Sequence, residues 1–187
     1  MDIRAFVVIP AKGDSKRLVG KNKRIIDGKS LVAHSIEYAL NSEFAKRIIV
    51  STEDEETAAI ASSYGVEVVG REKEFMGERE VADVYVDIFD KYGGDEFTHV
   101  VGVQPDHPDR TIQLDKMLTY AVENDYGDLF TVNEDGSRNG SVRLFNASWV
   151  KRGTISRRVG SMMDRCTNIH SEEDLRNAEL NILDRKS

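Results

Sequence analysis

The chain reads as an α/β protein built on a mostly parallel sheet with helices on both faces, and three observations predict this. Short apolar runs rich in β-branched residues recur at Ala5 to Ile9, Arg47 to Ser51, Val66 to Val69, Thr98 to Val103 and Asp128 to Val132. Such runs suit strands buried on both faces. Between them lie segments of about 10–15 residues with helical apolar spacing, the alternation expected of βαβ units. The length of 187 residues, 40% of them hydrophobic, suits a single domain, residues 1–187, with a core of ordinary size.

Taken in order, the first strand ends at Pro10, because proline cannot continue a central ladder. A basic, glycine-punctuated loop follows, with Lys12, Gly13, Lys16, Arg17, Gly20 and Lys21, then Lys23 and Arg24. Ile25 to Lys29 is a short extended piece closed by an Asp27-Gly28 turn. Ser30 is the expected cap of a helix to about Asn41, with Leu31, Ile36, Ala39 and Leu40 on its inner face. After the second strand, Thr52 is the expected cap of a helix over Glu53 to Tyr64. The acidic first turn of that helix, Glu53 to Glu56, complements the helix dipole.

Gly65 suits the residue just past that helix, and Gly70 to Gly77 reads as a loop. From Glu78 to Tyr92 the residues Val81, Val84, Tyr85, Ile88 and Phe89 recur at helical spacing. Gly93-Gly94-Asp95 breaks the pattern. Thr111 is the expected cap of a helix to about Asn124, and Asn133 to Gly136 reads as a turn. Ser141 to Phe145 and Trp149-Val150 look extended. Ser171, with Asp174 three residues on, opens a final helix from Glu172 to about Leu183 in the manner of a capping box.

Several function classes are disfavoured. A net charge of −7 argues against a general nucleic-acid binder, and it makes the basic loop a local feature. The single cysteine, Cys166, allows no internal disulfide and fits a reducing compartment, with a small buried or half-buried side chain expected. No apolar run reaches the roughly 18 residues of a membrane span, and no leader precedes the first strand, so a cytoplasmic location is expected. Nucleophile-elbow, Walker and GxGxxG patterns are all missing.

The chemistry concentrates on one predicted rim. In open α/β sheets, ligands sit beyond the carboxyl ends of the strands near the point where strand order reverses. That rule brings together the basic loop, Ser51-Thr52, and Gln104-Pro105-Asp106-His107-Pro108-Asp109-Arg110. Exposed amides with several cations suit a polyphosphate. Mg²⁺ prefers oxygen and often takes only one or two protein carboxylates. Asp106 is the first candidate and Asp109 the second, with a turn role beside proline open for both. His107 reads as a solvated loop residue or as a ligand or base. A site built for charge neutralisation and positioning suits nucleotidyl transfer.

These residues also carry a resemblance. Ile9-Pro10-Ala11-Lys12-Gly13-Asp14-Ser15-Lys16-Arg17-Leu18-Val19-Gly20-Lys21-Asn22 resembles the I-P-A-R-G-G-S-K-R-I-P-G-K-N signature of acylneuraminate (CMP-sialic acid) cytidylyltransferases. Ile48 to Glu55 is similar to that family's I-V-V-S-T-D-D-E, and Val103 to Arg110 to its L-Q-P-T-S-P-L-R. Asn139-Gly140-Ser141-Val142 resembles N-G-A-I, and Glu173-Asp174-Leu175 the closing E-D-L. Gln104-Pro105-Asp106 also resembles part of the V-Q-G-D-E-P of Kdo-type relatives, and Gly77 to Val84 loosely echoes their G-T-D-R-I-A-E-V.

The resemblance implies a three-layer αβα, Rossmann-like sheet of the nucleotide-diphospho-sugar transferase type. It implies CTP and Mg²⁺ used to couple a 2-keto sugar acid with release of pyrophosphate. Ala11, Lys12, Gly13, Ser15, Lys16, Arg17, Lys21, Asn22 and Arg71 would bind nucleotide. Lys21, Arg17 and Asp106 would be catalytic, Asp106 would hold the metal, and Gln104 would touch the acceptor. The implied partners are CTP and an acidic sugar, with a homodimer as the assembly the family's contacts suggest.

The departures are chain-specific. Lys12 and Asp14 replace an Arg and a Gly of the loop, and the acidic Asp14 faces expected phosphates. Asn168-Ile169-His170 stands where the family carries a metal-binding D-I-D, so the negative charge that Mg²⁺ favours is missing there. The stretch from Val132 to Asn139 is short where the family has an insertion with sugar-binding and dimer contacts.

Overall fold

The computed structural model describes residues 2–15, 17–71, 80–154 and 156–186. In chain order they form β1 (Ala5–Pro10), a hairpin of β2 (Ile25–Ile26) and β3 (Lys29–Ser30), α1 (Leu31–Leu40), β4 (Ala45–Ser51), α2 (Glu55–Ser63) and β5 (Glu67–Val69). Then come α3 (Val81–Tyr92), β6 (His99–Val103), α4 (Leu114–Glu123), β7 (Asp128–Val132), β8 (Arg138–Asn146), α5 (Ala147–Lys151), β9 (Val159–Met163) and α6 (Glu172–Asp184).

The main sheet has seven strands in the order β5-β4-β1-β6-β8-β7-β9. β5, β4, β1 and β6 are mutually parallel. β8 alone is reversed, antiparallel to both β6 and β7, and β9 is parallel to β7. The layers follow from alternation along β1, every residue of which is buried. Ala5, Val7 and Ile9 point into a core with Val32, Ile36, Met117 and Leu118 of α1 and α4. Phe6 and Val8 point the other way, toward Val84, Tyr85, Ile88 and Phe89 of α3. Phe6 meets Phe89 and Phe97 edge-to-face at 5.3 and 5.1 Å, the geometry that ring quadrupoles favour. This is the expected three-layer αβα arrangement.

A third apolar cluster determines where the basic loop lies. Leu18 of the loop packs with Ile26, Leu31, Ile169, Leu175 and Ala178, so α6 and the β2–β3 hairpin clamp it onto the rim. The hairpin turns through Asp27 and Gly28, with φ of 47° and 76°, and the second position is one where glycine avoids a Cβ clash. Ser30 caps α1 through Ala33 N at 3.3 Å. Ser171 and Asp174 form the expected capping box on α6.

Other expectations are corrected. Leu40 is 48% exposed while its neighbour Ala39 is fully buried in the core, so the inner face of the last turn of α1 is carried by Ala39 and not by Leu40. Asp54 rather than Thr52 caps α2, its Oδ2 accepting from Thr57 N at 2.8 Å and Thr57 Oγ1 at 2.7 Å. Thr52 Oγ1 instead accepts from Asp54 N and shapes the turn before it. α4 starts at Leu114, not after Thr111, since Thr111 donates its amide and hydroxyl to Asp164. Trp149 and Val150 lie in helix α5, started by the Asn146 cap on Ser148 N. Strand β9 lies where no strand was expected, because it is only half-buried on alternate positions and Gly160 and Ser161 in its middle leave it no apolar run.

Candidate functional site

β1, β4 and β6 run parallel, so Pro10, Ser51 and Val103 end on the same rim. Strand order reverses there, since β4 lies on one side of β1 and β6 on the other. A cavity of about 260 Å³ opens at this point, and Lys12, Asp14, Ser15, Lys21, Asn22, Arg71, Gln104 and Asp106 line it. Residues more than 80 positions apart in sequence are thus brought together by topology.

Lys21 and Asp106 form its centre. Lys21 Nζ lies 2.6 Å from Asp106 Oδ2, with both side chains mostly buried, and it reaches the Ile169 carbonyl at 3.4 Å. The position of that carbonyl is set by Ile169 N, which donates to the Asp106 carbonyl at 2.9 Å. Behind Asp106, His107 Nδ1 is 3.0 Å from Oδ1. The contact is not aligned as a hydrogen bond, so Oδ1 keeps unused acceptor capacity. Burial pushes the Asp106 carboxyl up, but His107 and Lys21 outweigh it and hold the group well below the usual carboxylate range. His107 itself is fully buried, which corrects the expectation of a solvated loop histidine.

Other predicted residues take different stations. Asn22, 6% exposed, donates from Nδ2 to the Lys12 carbonyl at 2.7 Å and so braces the loop. Burial lowers the Arg71 guanidinium from its ordinary value, while the Glu53 carboxylate acts in the opposite sense. Arg17 is exposed and turned toward His170, whose Nδ1 is 3.1 Å from its Nη1. Burial, followed by Arg17 and Lys21, lowers the His170 pKa, so the imidazole is neutral at pH 7. Lys16 lies outside the described residues, as do Gly77, Glu78 and Arg79 of the Gly77 to Val84 echo.

The amides of the loop are partly committed. Ala11 is fully buried and its N–H continues the sheet, donating to the Ser51 carbonyl at 2.9 Å. Gly13 N donates to Glu53 Oε1 at 2.8 Å. A Cβ on Gly13 would fall 2.7 Å from Cβ of Asp54, so this glycine serves close backbone approach to the next rim turn. Neither Ala11 nor Gly13 lines the cavity.

Asp109, the second candidate for metal, is otherwise engaged. It is 1% exposed and accepts from Thr167 N at 2.7 Å, Thr167 Oγ1 at 2.8 Å and Asn181 Nδ2 at 2.8 Å. The carboxylate ties the rim to the segment leading into α6. Cys166 is half-buried, and burial pushes its thiol up to about 12, which leaves it unreactive.

Two supporting residues have no role assigned from the sequence, although Arg110 closes the Val103 to Arg110 motif. Arg110 donates to the Gln104 carbonyl, to Ser35 Oγ at 3.2 Å and to the Ser141 carbonyl at 3.4 Å, with its guanidinium 4.9 Å from the Tyr38 ring centroid. Asp164, 1% exposed, accepts from Thr111 N at 2.7 Å and Ser141 Oγ at 2.9 Å. Together they fix the backbone from which Gln104 projects. A second cavity of about 180 Å³ shares Val81 and Gln104 with the first and is lined also by Tyr85, Thr131, Arg138 and Arg143. Arg143 is paired with Asp128 at 2.7 Å, and the Arg138 guanidinium stacks 3.9 Å from the Phe130 ring centroid.

The donor set fits a magnesium ion carried chiefly by water and phosphate oxygens. Asp106 offers one ionised carboxylate on the cavity wall, its Oδ2 turned toward Lys21, and a single carboxylate is within the usual protein share for this ion. Among the described residues no three acidic, histidine or cysteine side chains gather around one point. The arrangement can therefore neutralise a polyphosphate and orient it, with one carboxylate available to a cation.

Comparison with known proteins gives a consistent result. Residues 6–181 match a family described as Cytidylyltransferase. CMP-N,N'-diacetyllegionaminic acid synthase of Legionella pneumophila is 37% identical over 125 residues, covering 65% of this chain and 53% of that protein. Pseudaminic acid cytidylyltransferase of Campylobacter jejuni is 42% identical over 85 residues, 44% of this chain and 34% of that one. The match thus spans about half the length of the first relative and less of the second. Among solved structures, CMP:2-keto-3-deoxy-manno-octonic acid synthetase complexed with CTP superposes with a TM-score of 0.75 at 15% identity, over 97% of this chain and 99% of that one. A cytidylyltransferase from Leptospira borgpetersenii gives 0.73 at 18% identity, over 95% and 85%. At these identities the structural likeness bears on fold alone.

Proposed function

This chain belongs to the cytidylyltransferase family, and on that premise we propose that it transfers CMP from CTP to a 2-keto sugar acid with release of pyrophosphate. The observation that carries the reading is the convergence of Lys12, Lys21, Asn22, Arg71, Gln104 and Asp106 on one cavity at the strand-order reversal.

In this reading the triphosphate lies along the basic loop, with Lys12 and Lys21 facing its oxygens and Arg17 at the outer edge. Lys21 stabilises charge that develops at the α-phosphorus, a contribution strongest in a site shielded from water. Asn22 and Arg71 contact the nucleoside side. Gln104, shared by both cavities, touches the sugar acid and sets its attacking hydroxyl toward the phosphorus. Asp106 would hold Mg²⁺, which when bound supplies charge neutralisation on the phosphate oxygens. His107 keeps the Asp106 carboxylate ionised and oriented.

A second reading, nucleotide binding without turnover, is favoured by one observation: His170, at a position where the family signature has an acid, is a neutral partner of Arg17. A third, transfer to a different phosphorylated or phosphonate acceptor, differs only in the second cavity. Calorimetry with CTP, with and without Mg²⁺, separates the first two. Binding strengthened by Mg²⁺ supports transfer, tight metal-indifferent binding supports the second reading, and no nucleotide binding defeats both.

A further inference from the structure

Lys21 and Asp106 do more than share a cavity; the ammonium occupies the approach a cation would use. Nζ sits 2.6 Å from Asp106 Oδ2 and 3.4 Å from the Ile169 carbonyl oxygen. Those are a carboxylate and a carbonyl, the hard oxygen donors that Mg²⁺ or Mn²⁺ prefers. The other carboxylate oxygen, Oδ1, is backed by the fully buried ring of His107, so it offers no entrance from the cavity.

We infer that Lys21 is a built-in counter-ion that keeps divalent cations off Asp106 until a polyphosphate draws the ammonium away. The inference rests on the reading of the cavity as a triphosphate site. Two facts support it beyond the contact itself. The pair is mostly withdrawn from water, with side-chain exposures of 17% and 14%, so a dication entering beside the ammonium would meet a like charge that solvent screens weakly. The same cavity is lined by both Lys12 and Lys21, so an anion held in it meets the Lys21 ammonium directly. A polyphosphate would then take the ammonium and free Oδ2, leaving the Asp106 carboxylate able to hold the cation. Nucleotide and metal affinities are coupled, and by linkage each raises the other equally.

The test uses the full chain and Mn²⁺, followed by electron paramagnetic resonance of free Mn²⁺ and by water proton relaxation. The wild-type protein alone should bind Mn²⁺ weakly, and Lys21→Met should bind it about tenfold or more tightly without nucleotide. Lys21→Met combined with Asp106→Asn should lose that gain. With CTP added, relaxation should report protein-bound Mn²⁺ on the wild type. If Lys21→Met does not fold, Lys21→Ala serves the same purpose. Equal Mn²⁺ affinity in wild type and variant, or a gain that survives Asp106→Asn, overturns the inference. Failure of CTP to bind at all, seen by calorimetry without metal, would instead overturn the nucleotide reading. A gain of metal affinity in Lys21→Met would still stand in that case.

Discussion

His107 braces Asp106 from behind: its Nδ1 lies 3.0 Å from Oδ1, in a ring that has no exposed surface. A buried imidazole placed against a carboxylate limits the rotamers of that carboxylate and helps keep it ionised. His107→Ala should therefore lower kcat by about tenfold or more while leaving the KM for CTP nearly unchanged, the scale typical of residues that orient a metal ligand. His107→Gln, which refills most of the volume, should recover part of the loss. Steady-state kinetics on the two variants checks this.

Asp109 should behave as a structural residue. Asp109 is 1% exposed and its three accepted hydrogen bonds to Thr167 and Asn181 are partly buried, so Asp109→Ala leaves the half-buried Thr167 donors without their partner. Loss of stability of about 2 kcal/mol is expected from the partly desolvated Thr167 donors. Urea unfolding measures it, and a change below about 1 kcal/mol would contradict the assignment.

Asp14 puts negative charge on the cavity wall beside Lys21. Asp14→Gly should tighten CTP binding, and because the residue is exposed the gain should fade as salt shortens the Debye length. Calorimetry at low and high ionic strength tests both parts.

His99 gives a pH signature of the fold rather than of the site. It is 4% exposed on β6, and burial lowers its pKa to about 4 from the model-compound value of 6.5. The folded state disfavours the proton, so the stabilisation is complete above pH 6.5 and is lost as pH falls toward 4. The loss reaches roughly 3 kcal/mol by linkage. Urea unfolding from pH 4 to 7 should show a steeper acid loss for the wild type than for His99→Leu.

Much of the sheet was legible because its strands are buried on both faces and announce themselves as apolar runs. β9 was not, since an edge strand with pattern-breaking Gly160 and Ser161 carries no such run. Helix caps were misplaced where two cap-forming residues compete, as Thr52 and Asp54 do, and hydrogen-bond geometry rather than residue type decides. Lys21, Asn22, Gln104 and Asp106, singled out by motif and rim position, line one cavity. The diversion of the Gly13 amide to Glu53 and the burial of His107 depend on how distant turns meet, which no local pattern encodes. Arg110 and Asp164 lie one step behind the cavity, and although Arg110 ends the rim motif, its role in holding the Gln104 carbonyl and that of Asp164 in holding Thr111 and Ser141 depend on how distant segments meet.

The proposed transfer is tested most directly by pyrophosphate release. The protein is incubated with CTP, Mg²⁺ and a panel of 2-keto sugar acids, beside a Lys21→Ala control. Release that requires one of the acids and falls to background in the control is the expected result. Release no greater than the control with every acid would contradict transfer to this class of acceptor.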